Sequence, residues 1–399
     1  MNTMLSMMHL QHYPVRSNHR GNLVWCMDMP LLFATLALLF TSWVMVSSAS
    51  LDYAFQTTGD TFYFCKRHGV YVLLSLCVAA LVLNVPYSRW QRIDVAFLVL
   101  AVFLLIIVLL PHVGRRINGS QRWLGLGFMT LQVSEITKCA AIVFFAGYLV
   151  RRREEMRSSY WGFLKPFLVL GVLAVLLLLE PDFGATVVIG ASTLSLLFLA
   201  GAPLTRFLPL FGLVILAGCF LAVTESYRLA RLLAFVDPWE ESVMYGSGYQ
   251  LTQSLIAIGR GEWFGVGLGH SVQKLFYLPE AHTDFVFSIW AEEAGLAGCI
   301  TIIGLFGLMV RRMFVIGRFA ADRGEYFGAL VAAGLALVIA YQAFINMGVA
   351  SGLLPTKGLT LPFISYGGSS LMMSAVMSAM VLRLSFENRQ AAKPHVVMP

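Results

Sequence analysis

The sequence has few charged residues and no regular cysteine spacing. Asp, Glu, Lys and Arg make up 12% of its 399 residues, against roughly 25% in a typical soluble domain. The six cysteines show no C-x-x-C spacing and most lie in apolar segments, which argues against a disulfide framework or a zinc site. Walker A, HExxH and GxSxG sequences are absent, so nothing indicates ATP hydrolysis, zinc proteolysis or esterase chemistry.

Long apolar runs dominate the chain instead. Hydrophobic residues make up 58% of it, and a helix needs about 20 mostly apolar residues to cross a bilayer. Residues 180–184 contain Pro, Gly and two acids, which indicates a tight turn at the membrane surface between the fifth and sixth runs. We therefore predict an all-α polytopic membrane protein with ten transmembrane helices, in the runs 31–51, 69–85, 94–111, 132–150, 166–180, 184–200, 207–223, 285–310, 327–354 and 370–384.

The distribution of basic residues predicts the orientation. Ten spans place both termini on one side, and Lys and Arg are in excess in the segments of that side, which predicts that both termini are cytoplasmic. The same bias accounts for the formal charge of +7 without any nucleic-acid partner. The predicted organisation is an N-terminal tail (1–30), a membrane domain (31–384) and a C-terminal tail (385–399). Within the membrane domain, a large periplasmic loop (224–284) joins helices 7 and 8. Such long loops are usually functional or disordered, and its aromatic residues argue against disorder.

Residues 277–285 crowd three titratable side chains against the start of the eighth apolar run. Charge beside lipid is costly unless it is paired or hydrated, so such a cluster is a candidate functional site. Asp284 is our candidate general base, facing the outer leaflet; capping of the eighth helix by Thr283 and Asp284 is the alternative. Glu280 and His282 are candidates to tune this base or to contact substrate, with simple surface solvation as the alternative.

Two further charged features lie near the fourth run. Glu135 and Lys138 are three residues apart, so they share a helix face and can pair. A lysine at the centre of a span costs about 2.5–3.5 kcal/mol on insertion scales, which demands a cavity or a structural partner. Arg122, followed by Trp123, suits a bidentate contact with phosphate. A snorkelling arginine beside an aromatic belt is the alternative.

The last outer loop, residues 355–369 between the ninth and tenth runs, carries Lys357. The sequence Gly-Gly-Ser-Ser follows at 367–370, where the tenth run begins. Such a helix start exposes backbone amides and hydroxyls, so Lys357, Ser369 and Ser370 form a candidate anion or sugar site. A flexible helix entry with a serine cap is the alternative. The glycine-rich segment 265–269 is similar to a dinucleotide-binding loop only superficially. It lacks the preceding strand and following helix, and we reject that reading.

Taken together, these segments resemble the SEDS family of bacterial cell-wall proteins, to which FtsW, RodA and SpoVE belong. Several independent motifs agree in order and spacing, and the wording of 278–285 is closer to the septal branch of the family than to the elongation branch. Two departures are Val133, where the family usually has Pro, and Glu180, where Gln is common. The matching stretches are 122–138, 181–184, 249–269, 278–285 and 346–370.

The resemblance implies ten membrane helices and a peptidoglycan glycosyltransferase that uses lipid II, an undecaprenyl-diphosphate-linked disaccharide pentapeptide. It places the family's essential aspartate on Asp284 and its fourth-helix Glu and Lys on Glu135 and Lys138. The donor is linked to diphosphate by an α bond and the product has a β-1,4 bond, so the anomeric carbon is inverted once. One inversion requires one displacement, which needs a single general base. Asp284 would take the proton of the acceptor 4-hydroxyl, a step typically worth about 10²–10⁴-fold. Arg122, Lys138 and Lys357 are candidates to hold the departing diphosphate.

The resemblance also implies a location and partners. The expected location is the bacterial inner membrane at the division septum. A divalent cation, Mg²⁺ or Mn²⁺, is a candidate to share the charge of the diphosphate, and no ligand cluster in the sequence identifies its site. The sequence carries no soluble transpeptidase domain with a nucleophilic serine. The implied partners are therefore a class B penicillin-binding protein, the FtsI-type septal transpeptidase, and other membrane proteins of the divisome.

Two other functions compete with the polymerase. A lipid II flippase needs a polar path open to both faces of the membrane, with charges that reach inward to bind its cargo. The unusual charges of this chain lie toward the outer side, which favours the polymerase. A pure division scaffold, the third hypothesis, predicts that Asp284 and Lys138 tolerate substitution.

Overall fold

A computed structural model describes residues 27–117, 120–127, 129–224 and 226–392. Most of the predicted N-terminal tail, 1–30, lies outside these ranges. The described residues form fourteen helices and a small sheet. The helices are α1 (Met29–Thr58), α2 (Tyr63–Leu83), α3 (Tyr87–Leu109), α4 (Val133–Arg151), α5 (Arg153–Ser158), α6 (Tyr160–Leu179), α7 (Phe183–Leu199), α8 (Leu204–Thr224), α9 (Ser226–Val236), α10 (Glu241–Met244), α11 (Tyr249–Gly261), α12 (Val286–Asp322), α13 (Tyr326–Ala350) and α14 (Gly368–Ala392).

Eight of these helices are long and apolar enough to cross a membrane, namely α1, α2, α3, α4, α6, α12, α13 and α14. Two shorter apolar helices, α7 and the Leu204–Phe220 part of α8, cover the sixth and seventh predicted runs. The predicted helical, polytopic membrane fold is confirmed. The exact count of ten spans and the cytoplasmic orientation stay predictions.

Helices α4, α13 and α14 form the centre of the bundle. They are the most buried of the membrane-competent helices. Small residues permit this close packing; a Cβ added to Gly334 on α13 would lie 2.5 Å from Ile142 on α4. A polar side chain on α4 is therefore surrounded by protein rather than by lipid, which removes much of the cost of placing a charge there.

The outer segment between α3 and α4 folds into a three-stranded antiparallel sheet, an addition to the all-α prediction. The strands are β1 (Gly114–Ile117), β2 (Ser120–Leu126) and β3 (Met129–Gln132), in the order β1-β2-β3. Gly127 turns the chain between β2 and β3 with a φ of 70°, a conformation that glycine adopts at little cost. Because β3 leads directly into α4, the sheet sets the position of Arg122 relative to the fourth helix.

Helix α12 differs from the predicted eighth span, 285–310. It extends from Val286 to Asp322 and is broken at Gly295, where φ is 64° and ψ is −164°. The segment that follows α11 fills this break. Val266 N donates to Glu292 O at 2.9 Å, and Leu296 N donates to Glu262 O at 2.9 Å. The backbone groups freed by the break are thus paired, as a location near lipid requires.

The large loop between α8 and α12 is largely structured, since α9, α10 and α11 lie within it. At the opposite end of the bundle, Asp28 caps α1 and pairs with Arg312 of α12 at 2.5 Å and Arg389 of α14 at 3.7 Å. The N-terminus of α1 and the C-terminus of α14 therefore lie at the same end of the bundle. Helix α14 continues to Ala392, within the predicted C-terminal tail.

Candidate active site

Asp284 lies in the last turn of the large loop, immediately before α12. The N-cap of α12 is Phe285, and no side chain caps this helix; Thr283 Oγ1 instead donates to Glu280 Oε2 at 2.6 Å. The capping alternative for Thr283 and Asp284 is therefore not what the structure shows. The Asp284 side chain is half-buried. A Cβ added to Gly358 would lie 3.0 Å from its Oδ2, so the carboxylate lies against the last outer loop.

The electrostatic surroundings of Asp284 come from three parts of the chain. Burial raises the pKa of Asp284 to about 7, and the carboxylates of Glu280 and, more weakly, Asp182 push it in the same direction. The guanidinium groups of Arg122 and Arg231 oppose this rise in the pKa. A carboxylate with a pKa near 7 exchanges a proton readily at neutral pH, which is the property that a general base needs.

Arg122 holds the turn between α6 and α7. From β2, its Nε donates to Glu180 O at 3.1 Å and its Nη2 donates to Pro181 O at 2.5 Å. Its Nη1 lies 3.8 Å from Asp182 Oδ1. Asp182 is buried, caps α7 by accepting from Ala185 N at 3.1 Å, and accepts from Ser134 Oγ at 2.8 Å. The turn predicted at 180–184 is present, and Arg122 is fixed against protein rather than snorkelling toward water.

Glu180 is the most unusual carboxyl group in this corner. It is fully buried, and neither Oε has a hydrogen-bond partner among the described residues. Burial, assisted by the charge of Asp182, raises the pKa of Glu180 to about 9, while Arg122 opposes the rise. Burial therefore favours the neutral form of the Glu180 carboxyl group at pH 7.

Glu135 and Lys138 form a buried pair on α4. Their side chains are 3% and 1% exposed, and Lys138 Nζ lies 2.8 Å from Glu135 Oε2. Lys138 Nζ also donates to Gln342 Oε1 at 2.5 Å, and Gln342 Nε2 donates to Thr360 O at 3.0 Å. In this structure the pair therefore contacts Gln342 of α13 and is linked through it to the last outer loop. Substrate binding by Glu135 and Lys138 stays a prediction.

The last outer loop places Lys357 close to the Arg122 corner and buries the two serines. Lys357 Nζ lies 3.4 Å from the centre of the Phe183 ring, at the first residue of α7. Ser370 Oγ lies 2.9 Å from Thr360 Oγ1, and Ser369 Oγ has no hydrogen-bond partner in the part of the chain that the structure describes. Both serines are buried, so they differ from the exposed hydroxyls that the Gly-Gly-Ser-Ser pattern predicted.

His282 faces the other side of the 278–285 segment. Its ring lies among aromatic rings, with centres 5.1 Å from Tyr53, 5.4 Å from Phe64 and 5.6 Å from Tyr366. Burial lowers the pKa of His282, and the nearby Glu280 only partly offsets this. His282 is therefore neutral at pH 7 and packs the loop that carries Asp284 onto α1 and α2.

The sequence model of one protein family matches residues 29–390, almost all of the described chain. That model describes a cell cycle protein family named for FtsW, RodA and SpoVE.

The chain belongs to the FtsW/RodA/SpoVE family.

Curated FtsW relatives cover nearly the whole chain. One from Halomonas elongata, named as a probable peptidoglycan glycosyltransferase FtsW, is 53% identical over 91% of this chain and 91% of its own length. Another, with the same name, from Saccharophagus degradans is 50% identical over 91% of this chain and 94% of its own. Solved structures agree on the fold. Thermus thermophilus RodA, 27% identical, superposes with a TM-score of 0.67 over 90% of this chain and 96% of its own.

A second solved structure comes from an assembly. It is described as "Structural coordination of polymerization and crosslinking by a peptidoglycan synthase complex". Its matching chain is 28% identical, with a TM-score of 0.73, and the match covers 91% of this chain and 98% of that chain. The relationship to the FtsW/RodA/SpoVE family therefore extends from sequence to backbone over the whole membrane domain.

Sequence reasoning overlooked several residues around this FtsW/RodA-type site. Arg231 of α9 lies within 3.5 Å of Thr356 O and acts on the charge of Asp284. Glu292 and Glu293 of α12 bind residues 271–274, the start of the segment that leads to Asp284. The available signal was the adjacent pair of glutamates within a predicted membrane span, where an acid is expensive.

Proposed function

We propose that this chain is a peptidoglycan glycosyltransferase that polymerises lipid II into β-1,4 glycan strands during septal wall synthesis, with Asp284 as the general base. The observation that carries this proposal is the position of Asp284. It lies at a half-buried site near basic side chains, and its pKa of about 7 suits proton transfer at neutral pH. The names of the FtsW relatives support the reaction class.

The reaction divides between a base and a set of cations. The acceptor 4-hydroxyl gives its proton to Asp284, and its oxygen forms the bond to the donor anomeric carbon. The bond from that carbon to the diphosphate breaks, and the diphosphate leaves with the electron pair. Arg122 and Lys357 lie at the same end of the bundle as Asp284, which supports them as candidates to stabilise this dense anion.

A divalent cation, Mg²⁺ or Mn²⁺, remains a proposal without a site. Among the described residues, no three His, Cys, Asp or Glu side chains are grouped so that they could hold a metal ion. Two of the acids near Asp284 already have partners: Asp182 contacts Arg122 and Ser134, and Glu280 accepts from Thr283. In the proposed reaction, arginine and lysine side chains stabilise the negative charge of the diphosphate.

A crosslinking partner follows from the division of labour. The solved assembly that matches this chain is described as a peptidoglycan synthase complex that coordinates polymerization and crosslinking. We propose that this chain likewise pairs with a class B penicillin-binding protein of the FtsI type, in the inner membrane at the septum. Other divisome membrane proteins complete the proposed assembly.

Lipid II polymerisation by the purified protein is the deciding experiment. The full chain with its penicillin-binding partner is given lipid II in detergent, and glycan chains are separated by gel. We expect chains from the wild type and a loss of about 10²–10⁴-fold in rate for Asp284→Asn. Asp60→Asn is the control, because Asp60 is an exposed acid paired with Lys66 at the outer end of α2.

The outcomes separate the hypotheses. Failure of the wild type to make chains would reject the polymerase. Undiminished chains from Asp284→Asn would reject only the assignment of the base. A flippase requires inward-reaching charges that are accessible to cargo, whereas Lys138 and Glu135 are only 1% and 3% exposed, so the geometry favours the polymerase.

A further inference from the structure

A groove separates the first turns of α6 and α8, at the end of the bundle remote from Asp284. It encloses a cavity of about 430 Å³, and none of the residues that line it is acidic. Its walls are apolar and its mouth contains one arginine. The residues used in the argument are Tyr160, Phe163, Leu164, Arg206, Pro209 and Leu210.

Arg206 places its guanidinium group among the residues that line the groove. Its guanidinium carbon lies 4.3 Å from the centre of the Tyr160 ring, and both residues line the groove. Its Nη1 is buried and has no hydrogen-bond partner among the described residues. A buried charged donor without an acceptor is costly, and native structures normally satisfy such groups. An acceptor from outside the chain is the simplest way to satisfy it.

The surroundings of Arg206 define what that acceptor is attached to. Tyr160 and Trp161 are 75% and 69% exposed at the start of α6, where a membrane helix places its aromatic belt. From there the groove continues between apolar walls formed by Phe163 and Leu164 on one side and Pro209 and Leu210 on the other. An anion with an attached hydrocarbon chain satisfies both parts of this groove, whereas a free anion satisfies only one.

We propose that the α6–α8 groove binds an anionic phospholipid of the bilayer, with the phosphate at Arg206 and an acyl chain along the apolar walls. Basic pockets between membrane helices are suited to anionic head groups. The bound lipid would bridge α6 to α8, whose outer surface is otherwise open, as the exposure of Leu204, Leu208 and Leu213 shows. This site is separate from that of the proposed polymerase reaction.

Native mass spectrometry of the full chain in mild detergent tests the proposal. The protein is titrated with phosphatidylglycerol and, separately, with the zwitterionic phosphatidylcholine. We expect the wild type to bind phosphatidylglycerol more tightly and Arg206→Gln to bind it about tenfold more weakly, because a charge-assisted hydrogen bond is lost. Arg206→Lys should retain part of the preference, and Leu210→Trp should weaken lipid binding by filling the groove while keeping the charge.

Arg318→Gln is the matched control. Arg318 is exposed on α12 at the same end of the bundle and does not line the groove. Wild-type lipid affinity in Arg206→Gln, or an equal loss in Arg318→Gln, would overturn the proposal. Excess inorganic phosphate provides the last arm. If phosphate alone displaces the lipid and raises the melting temperature as much as the lipid does, the site takes a free anion and the lipid assignment is wrong.

Discussion

Two buried lysine–glutamate pairs in the described part of the chain are built differently. Lys274 Nζ lies 3.0 Å from Glu293 Oε1, and Ser48 Oγ lies 2.7 Å from each oxygen of the same carboxylate. Lys138 Nζ lies 2.8 Å from Glu135 Oε2, but that oxygen has no partner with hydrogen-bond geometry among the described residues. The first pair is fully satisfied, whereas the second retains unused capacity.

This difference assigns the two pairs different tasks. Lys274 and Glu293 fasten the start of the segment that ends at Asp284 to α12, and adjacent Glu292 reinforces this by accepting from Val272 N at 3.0 Å. Lys138 acts on the loop opposite Asp284, through Gln342 and Thr360. The Lys274–Glu293 pair therefore holds the segment that carries Asp284, the proposed base. The Lys138–Glu135 pair supports the loop against which Asp284 lies.

Breaking the satisfied pair should have the largest effect on stability. Lys274→Met leaves the buried carboxylate of Glu293 without its counter-charge, which typically costs about 3–5 kcal/mol. We expect a clear fall in the melting temperature of the purified protein in detergent. The double variant Lys274→Met/Glu293→Met should recover much of that loss, and a double variant as unstable as the single one would contradict the account.

Cutting the connection from Lys138 to the last outer loop should reduce turnover more than stability. Gln342→Leu removes both the acceptor for Lys138 and the donor to Thr360 O. We expect roughly a tenfold lower rate of lipid II polymerisation, since hydrogen bonds to charged groups are worth about 1.5–3 kcal/mol. Tyr341→Phe is the control, because its hydroxyl bonds Ser195 on α7 at 2.7 Å instead; an equal loss there would refute a specific role for the loop.

The pH dependence of the reaction reports on Asp284 itself. A base with a pKa of about 7 must be deprotonated to act, so the rate should rise through pH 7 and fall about tenfold per unit below it. Arg122 lowers the pKa of Asp284, so Arg122→Gln should move this rise to higher pH. An unchanged profile in Arg122→Gln would show that the two groups do not interact in solution.

The smallest effect is expected for an exposed lysine–aspartate pair, which carries the same two charges. Lys66 Nζ lies 2.9 Å from Asp60 Oδ2, and both side chains are largely in water. Lys66→Met should change stability by no more than about 1 kcal/mol, as exposed ion pairs usually do. A loss as large as that of Lys274→Met in the same melting assay would remove burial as the explanation for the difference.

The helices, and Asp284 as a candidate base, were predictable because each rests on local signals in the sequence. Apolar runs of membrane length located α1 to α4, α6, α13 and α14, and the clustered charges at 277–285 located Asp284. The burial of Ser369 and Ser370, the break at Gly295 and the partners of Glu293 were not predictable, because each depends on residues far away in the chain. Gly265 shows this well: a Cβ there would lie 2.1 Å from Glu293 O, so this glycine permits close contact with the backbone of α12.

The broken helix α12 has a mechanical consequence. Gly267 N donates to Glu293 O at 3.1 Å and Ala297 N donates to Trp263 O at 3.1 Å. Backbone hydrogen bonds therefore join the segment after α11 to α12 on both sides of the break. The part of α12 before Gly295 is held by these hydrogen bonds to the segment that leads to Asp284. Together they form one rigid unit at the end of the longer part of α12. A neighbouring protein that tilts the longer part of α12 would therefore move Asp284, the proposed base, with it. The rigid unit could stay behind only if those hydrogen bonds broke.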